Sequence, residues 1–363
     1  MTNDIDRVGA NSVINKSESD IVISVDAMGG DRGAVAVVGG LHKSASANPD
    51  IRFIVHGDET VLKPLIAKRK SLTGKCDIRH AESSINMNDK PSLAMRNGKG
   101  TSMWNAIDSV KNKEAAVTVS CGNTGALMAI SMLRLRKAPG VYRPAIAVLW
   151  PSRNPSGFNV VLDMGADVRA DAPDLLKYAL MGASYARNGL GIETPRVGLL
   201  NVGTEEHKGR TELKEAHELI TESFSSNEYE FVGFIEGSDL PSNKVDVIVT
   251  DGFTGNVALK TGEGTANLIS DLLKEAFRHT PFSRIGALFS YTAMQRLKKR
   301  IDPRRVNGGV FLGLNGTVIK SHGDADATGV AAAIQLGYQL AKLGFSEKLA
   351  ARVASAAAGG EDT

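Results

Sequence analysis

Short runs of β-branched and other apolar residues recur along the chain. Each ends in small polar residues and gives way to a longer stretch whose apolar positions repeat every three or four residues. Ile21–Asp26, Ile51–His56, Ala115–Ser120, Ala145–Trp150, Phe158–Asp163, Arg196–Asn201, Glu230–Ile235 and Val245–Thr250 have the length and residue types of strands. Between them, Ala34–Ala47, Thr124–Leu135, Ala172–Asn188 and Thr211–Phe224 have helical spacing. Alternation of this kind predicts right-handed crossovers and an α/β fold with a doubly wound, mostly parallel, Rossmann-like sheet. Gly309–Leu314 and Thr317–Ser321, parted by Asn315-Gly316, predict a hairpin with a type I′ turn, which makes the sheet mixed.

No Pro/Ser-rich linker and no repeat interrupts this rhythm. The economical division is a loose polar extension over residues 1–20, one α/β domain over 21–345 with a helical excursion at 265–305, and a C-terminal helix and tail over 346–363. Glycine reaches 38 of 363 residues, above the usual ~7%. Most follow apolar runs, where tight loops favour sites built from backbone N–H groups. A net charge of +3 argues against nucleic acid as a partner. Cys76 and Cys121 supply neither a disulfide framework nor a metal spacing, which fits a reducing, cytoplasmic compartment. No apolar stretch approaches the ~18 residues of a membrane span, so membrane contact is expected to be peripheral.

In open sheets, ligands bind at the carboxyl ends of strands. Here five such ends place glycine beside Asn, Asp, Thr or Lys: Asp26 to Asp31, Cys121 to Gly125, Asp163 to Asp167, Asn201 to Gly209, and Asp251 to Asn256. Together they are expected to line one crevice containing Asp26, Asp163, Asn201 and Asp251. Gly122-Asn123-Thr124-Gly125 opens a helix of small residues, an arrangement suited to an anion and equally to ordinary capping. The loop Gly29-Gly30-Asp31-Arg32-Gly33 is not GxGxxG, and no GxxxxGK[ST] occurs, so dinucleotide and P-loop readings lose ground.

Six pieces, in order, carry a resemblance. They are Asp26-Ala-Met-Gly-Gly-Asp31, Asp89-Lys-Pro-Ser92, Ser120-Cys-Gly-Asn-Thr-Gly-Ala-Leu127, Leu199-Leu-Asn-Val-Gly-Thr-Glu-Glu206, Asp251-Gly-Phe-Thr-Gly-Asn256 and Lys320-Ser-His-Gly323. The chain resembles the PlsX family over roughly Ile21 to Leu343. That resemblance implies a fold like the phosphotransacetylase and isocitrate dehydrogenase sheets, a homodimer, and peripheral membrane association. The activity it implies is transfer of a long-chain acyl group from acyl carrier protein to inorganic phosphate, giving acyl phosphate for phospholipid synthesis. No organic cofactor and no metal are expected; Asp163, Asp167 and Asp171 match no standard ligand motif. A short-chain, coenzyme A-dependent phosphotransacetylase, a non-catalytic membrane-associated scaffold and, third, a dehydrogenase are the rivals.

Under this reading phosphate falls to Gly122, Asn123, Thr124 and Gly125, with Lys208 supplying charge. Lys208 and Asn256 are the side chains the resemblance and the chemistry make indispensable, and His322 is a possible proton carrier. Cys121 precedes a helix N-terminus but has no local base, so direct transfer without an acyl-enzyme is expected. Finally, Phe282, Ile285, Leu288 and Phe289 form an apolar stripe, followed by Arg296, Lys298, Lys299, Arg300 and two further arginines with one acid, Asp302. Such a segment suits anionic lipid, acidic acyl carrier protein or a dimer interface.

Overall fold

The computed structural model describes residues 20–223, 229–301 and 308–349. The strands are β1 (Ile21–Asp26), β2 (Ile51–Gly57), β3 (Cys76–His80), β4 (Val117–Ser120), β5 (Ala145–Pro151), β6 (Phe158–Leu162), β7 (Arg196–Leu200), β8 (Glu230–Ile235), β9 (Val247–Val249), β10 (Gly309–Leu312) and β11 (Thr317–Lys320). The helices are α1 (Gly33–Ala47), α2 (Glu59–Ala67), α3 (Pro91–Asn97), α4 (Ser102–Lys111), α5 (Thr124–Arg134), α6 (Ala172–Ser184), α7 (Thr211–Ser223), α8 (Gly252–Arg278), α9 (Pro281–Phe289), α10 (Tyr291–Ile301) and α11 (Ala327–Lys342).

All strands form one sheet in the order β3-β2-β1-β4-β11-β10-β5-β6-β9-β7-β8. β1, β2, β3, β4 and β11 are mutually parallel, and so are β6, β9, β7 and β8. Between these sets β10 runs against both β11 and β5, and β5 runs against β6. An odd number of reversals separates the two sets, so they point in opposite directions. This corrects the expected single crevice. The carboxyl ends of β1, β4 and β11 lie at one edge of the sheet, and those of β6, β7 and β9 at the other.

Alternation along the strands sorts the core into two layers. Ile23, Val25 and Ile319 face a layer with α1, α6 and α11. Val22 and Val318 face a second layer with Met103 and Ile107 of α4, Leu127 and Ile130 of α5, and Ala258 and Leu259 of α8. So α5 and the first half of α8 lie on the same face of the sheet.

Other boundaries also move. The hairpin is present, but its loop spans Gly313–Gly316, with positive φ at both glycines and not at Asn315, so it is not a two-residue type I′ turn. The helical excursion begins at Gly252, not near Thr265, because Asp251 caps α8 by accepting Thr254 N–H at 2.8 Å. The extension before Asp20 and the residues after Leu349 lie outside the described residues; Phe345–Leu349 is helical.

Candidate active site

The first edge is built around Asp26. Its carboxylate is fully buried and accepts from Ser120 Oγ at 2.7 Å, and Ser120 Oγ in turn accepts Gly122 N–H at 3.0 Å. Burial pushes the Asp26 carboxyl up, against the lowering effect of its hydrogen bonds. Asp26 therefore holds the turn that starts α5. Gly29 has to be glycine here, since a Cβ would sit 2.6 Å from Asp26 Oδ2 and 2.7 Å from Gly122 N.

Asn123 is the N-cap of α5, accepting Ala126 N–H at 3.0 Å. Its amide Nδ2 donates to Met87 O at 2.7 Å and Asp89 O at 3.0 Å. Both ends of the side chain are thus engaged in positioning, and Asn123 ties the Met87–Asp89 segment to the helix start. The anion-binding potential passes to Thr124 N–H and Gly125 N–H, which take no partner among the described residues, and to the exposed Thr124 hydroxyl.

β11 delivers Lys320, Ser321 and His322 to the same edge. Period-two alternation puts Lys320 on the face of Val318, toward α5 and α8. Its ammonium donates to Ser321 O and to Cys121 O, the latter at 3.4 Å. His322 Nδ1 lies 2.5 Å from Asp324 Oδ1, and its Nε2 lies 3.8 Å from Glu263 Oε1 on α8. Cys121 is only 4% exposed, and burial pushes its thiol up. A thiol so held is a poor nucleophile at neutral pH. Cys121→Ser should therefore keep most of its turnover; complete loss would point to an acyl-enzyme instead.

The second edge gathers the other candidates. Asp163 accepts backbone N–H groups from Ile146 (2.9 Å), Gly165 (3.2 Å), Ala166 and Asp167 (2.6 Å), so it shapes its own loop. Asp251 is the α8 cap and pairs with Arg210; Asp171 caps α6. Asn201 Nδ2 donates to Lys208 O at 3.1 Å, organising the loop after β7. Lys208 Nζ sits 2.7 Å from Glu205 Oε1, with Glu236 nearby. Asn256 is exposed on the first turn of α8 and packs near Gly165, whose Cβ would lie 3.7 Å from Asn256 Oδ1. A cavity of about 460 Å³ is lined by Met128 and Met132 of α5, Tyr142, Pro144 and Ala166, together with Arg136, Lys137, Arg143 and Asp167.

Sequence reasoning placed Lys208 beside Asn123 and Thr124, and within one chain the topology separates them. β4, which leads into Asn123 and Thr124, and β7, which leads into Lys208, are six strand spacings apart, about 29 Å, and their carboxyl ends face opposite ways. Asn256 starts at the second edge with Gly165, and α8 runs from there toward the first edge: its Gly262 packs on Trp150, and Glu263 reaches His322. The sequence pattern gives Lys260 and Lys320 no role; the signal for Lys320 is a lysine ending an otherwise apolar strand. Among the described residues no cluster of three or more His, Cys, Asp or Glu could hold a metal. No described helix is long and apolar enough to cross a membrane.

The family described as fatty acid synthesis protein matches residues 21–348. The phosphate acyltransferase of Dinoroseobacter shibae is 70% identical over 335 residues, covering 92% of this chain and 87% of that one. The chain belongs to this PlsX family and is an acyltransferase. The phosphate acyltransferase of a Cereibacter sphaeroides strain is 69% identical over 342 residues, covering 94% of this chain and 92% of its own. Among solved structures, a phosphotransacetylase from Streptococcus pyogenes aligns over 90% of this chain and 95% of that chain, with a TM-score of 0.59 at 16% identity. A branched-chain phosphotransacylase from Enterococcus faecalis aligns over 88% and 99%, with a TM-score of 0.55 at 13% identity. These structures share the fold of the PlsX chain, and at such identity the fold alone.

Proposed function

We propose that this PlsX-family chain transfers a long-chain acyl group from the thioester of acyl carrier protein to inorganic phosphate, and that the acyl phosphate feeds phospholipid synthesis. The observation that carries the reading is the start of α5, where Thr124 N–H and Gly125 N–H take no partner among the described residues, the Thr124 hydroxyl is exposed, and Lys320 donates to the Cys121 carbonyl just before the helix. A phosphate oxygen attacks the thioester carbon, the C–O bond forms and the C–S bond breaks, and the thiolate leaves and takes up a proton. Phosphate is already an anion, so it needs placement more than deprotonation. Asn256 is assigned to the developing oxyanion as a neutral donor, Lys208 to charge stabilisation and His322 to the proton. The cavity lined by Met128, Met132, Tyr142, Pro144 and Ala166 suits an apolar chain, and Arg136, Lys137 and Arg143 in the same lining suit an anionic carrier.

A homodimer fits the division of the site between two edges, since a second copy could bring its Lys208 edge to the first copy's α5. The projecting arm supports it: Leu268 and Leu272 of α8 are 59% and 56% exposed, and Phe282, Leu288 and Phe289 of α9 are 85%, 75% and 84% exposed. An apolar face of that size calls for a partner or a lipid surface. The side chains of Lys298, Lys299 and Arg300 lie outside the described residues, and Arg296 is exposed. Leu288→Glu should release the protein from anionic vesicles or split the dimer in sedimentation. If both persist, this face serves neither purpose.

The deciding assay is phosphate-dependent thiol release from palmitoyl-acyl carrier protein, with hydroxylamine trapping the product as hydroxamate. Trapped product that needs phosphate and favours the carrier protein over palmitoyl-coenzyme A supports the reading. A preference for short acyl-coenzyme A would make the chain a phosphotransacetylase; no release from either donor would favour a scaffold.

A further inference from the structure

Lys320 stands out among the groups at the first edge. It ends β11 on the face shared by α5 and α8, where its ammonium is part-buried and donates only to the carbonyls of Cys121 and Ser321. It forms no ion pair among the described residues. Lys260 of α8 acts on it as a like charge, and Asp26 and Asp31 of the β1 loop act on it as acids without forming an ion pair. Lys260 is itself paired with Glu263 at 2.8 Å, and His322 and Asp324 flank the same gap from Lys320's own loop. A desolvated cation with no counter-ion, beside two unpartnered helix-start N–H groups, is a costly arrangement unless an anion arrives.

We propose that Lys320 is the cation of the phosphate site, clamping phosphate against Thr124 N–H and Gly125 N–H from the opposite wall of the α5–α8 gap. This rests on the reaction reading above and replaces Lys208 as the phosphate's cation within one chain. The edge is closely packed, since a Cβ at Gly30 would lie 2.8 Å from both Cys121 Cβ and Gly323 O.

Burial and the neighbouring Lys260 push the Lys320 ammonium down to about 8. The sign follows directly: the cation is complete below that pH and is lost as pH rises through it. Between pH 7.5 and 9 phosphate only gains negative charge, from mostly to almost wholly dianionic, which favours a cation partner, and the buried Cys121 thiol is pushed up. Lys320 is then the group in the gap whose charge change should be read in phosphate binding.

The test compares wild type with Lys320→Met, which keeps an apolar stem, and Lys320→Arg, which keeps the charge at all pH values. The phosphate KM and kcat are measured with palmitoyl-acyl carrier protein from pH 7.5 to 9. Lys320→Met should raise the phosphate KM by at least about tenfold while the donor KM stays within about twofold, because only one substrate loses a charge partner. Wild type should show a phosphate KM that climbs above pH 8, and Lys320→Arg should flatten that climb. An unchanged phosphate KM in Lys320→Met, or an unchanged climb in Lys320→Arg, overturns the inference. A wild type without phosphate-dependent release sinks the reaction reading separately. Phosphorus NMR line broadening of inorganic phosphate by the whole protein then decides Lys320 alone: loss in Lys320→Met supports it, and retention overturns it.

Discussion

In the proposed homodimer, mixing Lys208→Ala with Lys320→Met protein at a phosphate concentration well below the KM of Lys320→Met, where each variant alone is strongly impaired, should restore roughly a quarter of wild-type turnover, because half of randomly exchanged dimers are mixed and each keeps one intact site. The expectation comes from strand direction. Lys208 follows β7 and Lys320 ends β11, about 24 Å apart and at opposite edges of the sheet. A lysine side chain spans a fraction of that distance. If both act on one substrate, they come from different copies, and complementation follows as arithmetic. Subunit exchange is verified by pulling one tagged variant down with the other. Exchange without recovery would mean that Lys208 does not share a site with Lys320 across copies. A wild type that sediments as a monomer would remove the dimer from the reading altogether.

Gly29→Ala should both destabilise the protein and weaken phosphate. The added methyl would meet Asp26 Oδ2 at 2.6 Å on one side and Gly122 N at 2.7 Å on the other. Neither can retreat cheaply. Asp26 is buried and bonded to Ser120, and Gly122 is the backbone leading into the α5 cap. Overpacking of this kind costs about 1–3 kcal/mol, which should appear as a Tm lowered by several degrees. Displacement of the cap should also raise the phosphate KM. Gly264→Ala is the control, since a Cβ there meets nothing within 4 Å on an α8 turn. It should be neutral or stabilising by about 0.5–1 kcal/mol. Equal Tm and phosphate KM in Gly29→Ala and wild type would show that the first edge tolerates movement and is not a rigid anion site.

Much of this fold is legible residue by residue. The apolar runs at Ile21, Ile51, Phe158 and Arg196 appear as strands within a residue of their expected bounds, and α1, α5 and α7 appear where helical spacing puts them. Elements with weaker patterns do not announce themselves: β3 has half-buried residues and a charged middle, and α3 and α4 are short. Gly252-Phe253-Thr254-Gly255-Asn256 reads as a strand-end loop because glycine disfavours helix. It is helical because Gly252 and Gly255 must pack against the Asp163–Asp167 loop, where a Cβ would collide. There, tertiary contact outweighs propensity.

The site divides in the same way. Residue types alone mark Asn123 as a cap or anion ligand, and only the fold shows its amide already given to Met87 and Asp89. Composition and motif order determine an α/β acyltransferase chain with glycine-built strand ends. Tertiary structure decides which of those ends meet, because periodicity reports the face a residue occupies and carries nothing about the direction of the neighbouring strand. Two reversals across β10 and one between β5 and β6 send Lys208 away from Thr124, and the same geometry brings Lys320, from a strand late in the chain, to the helix start it was never paired with in sequence.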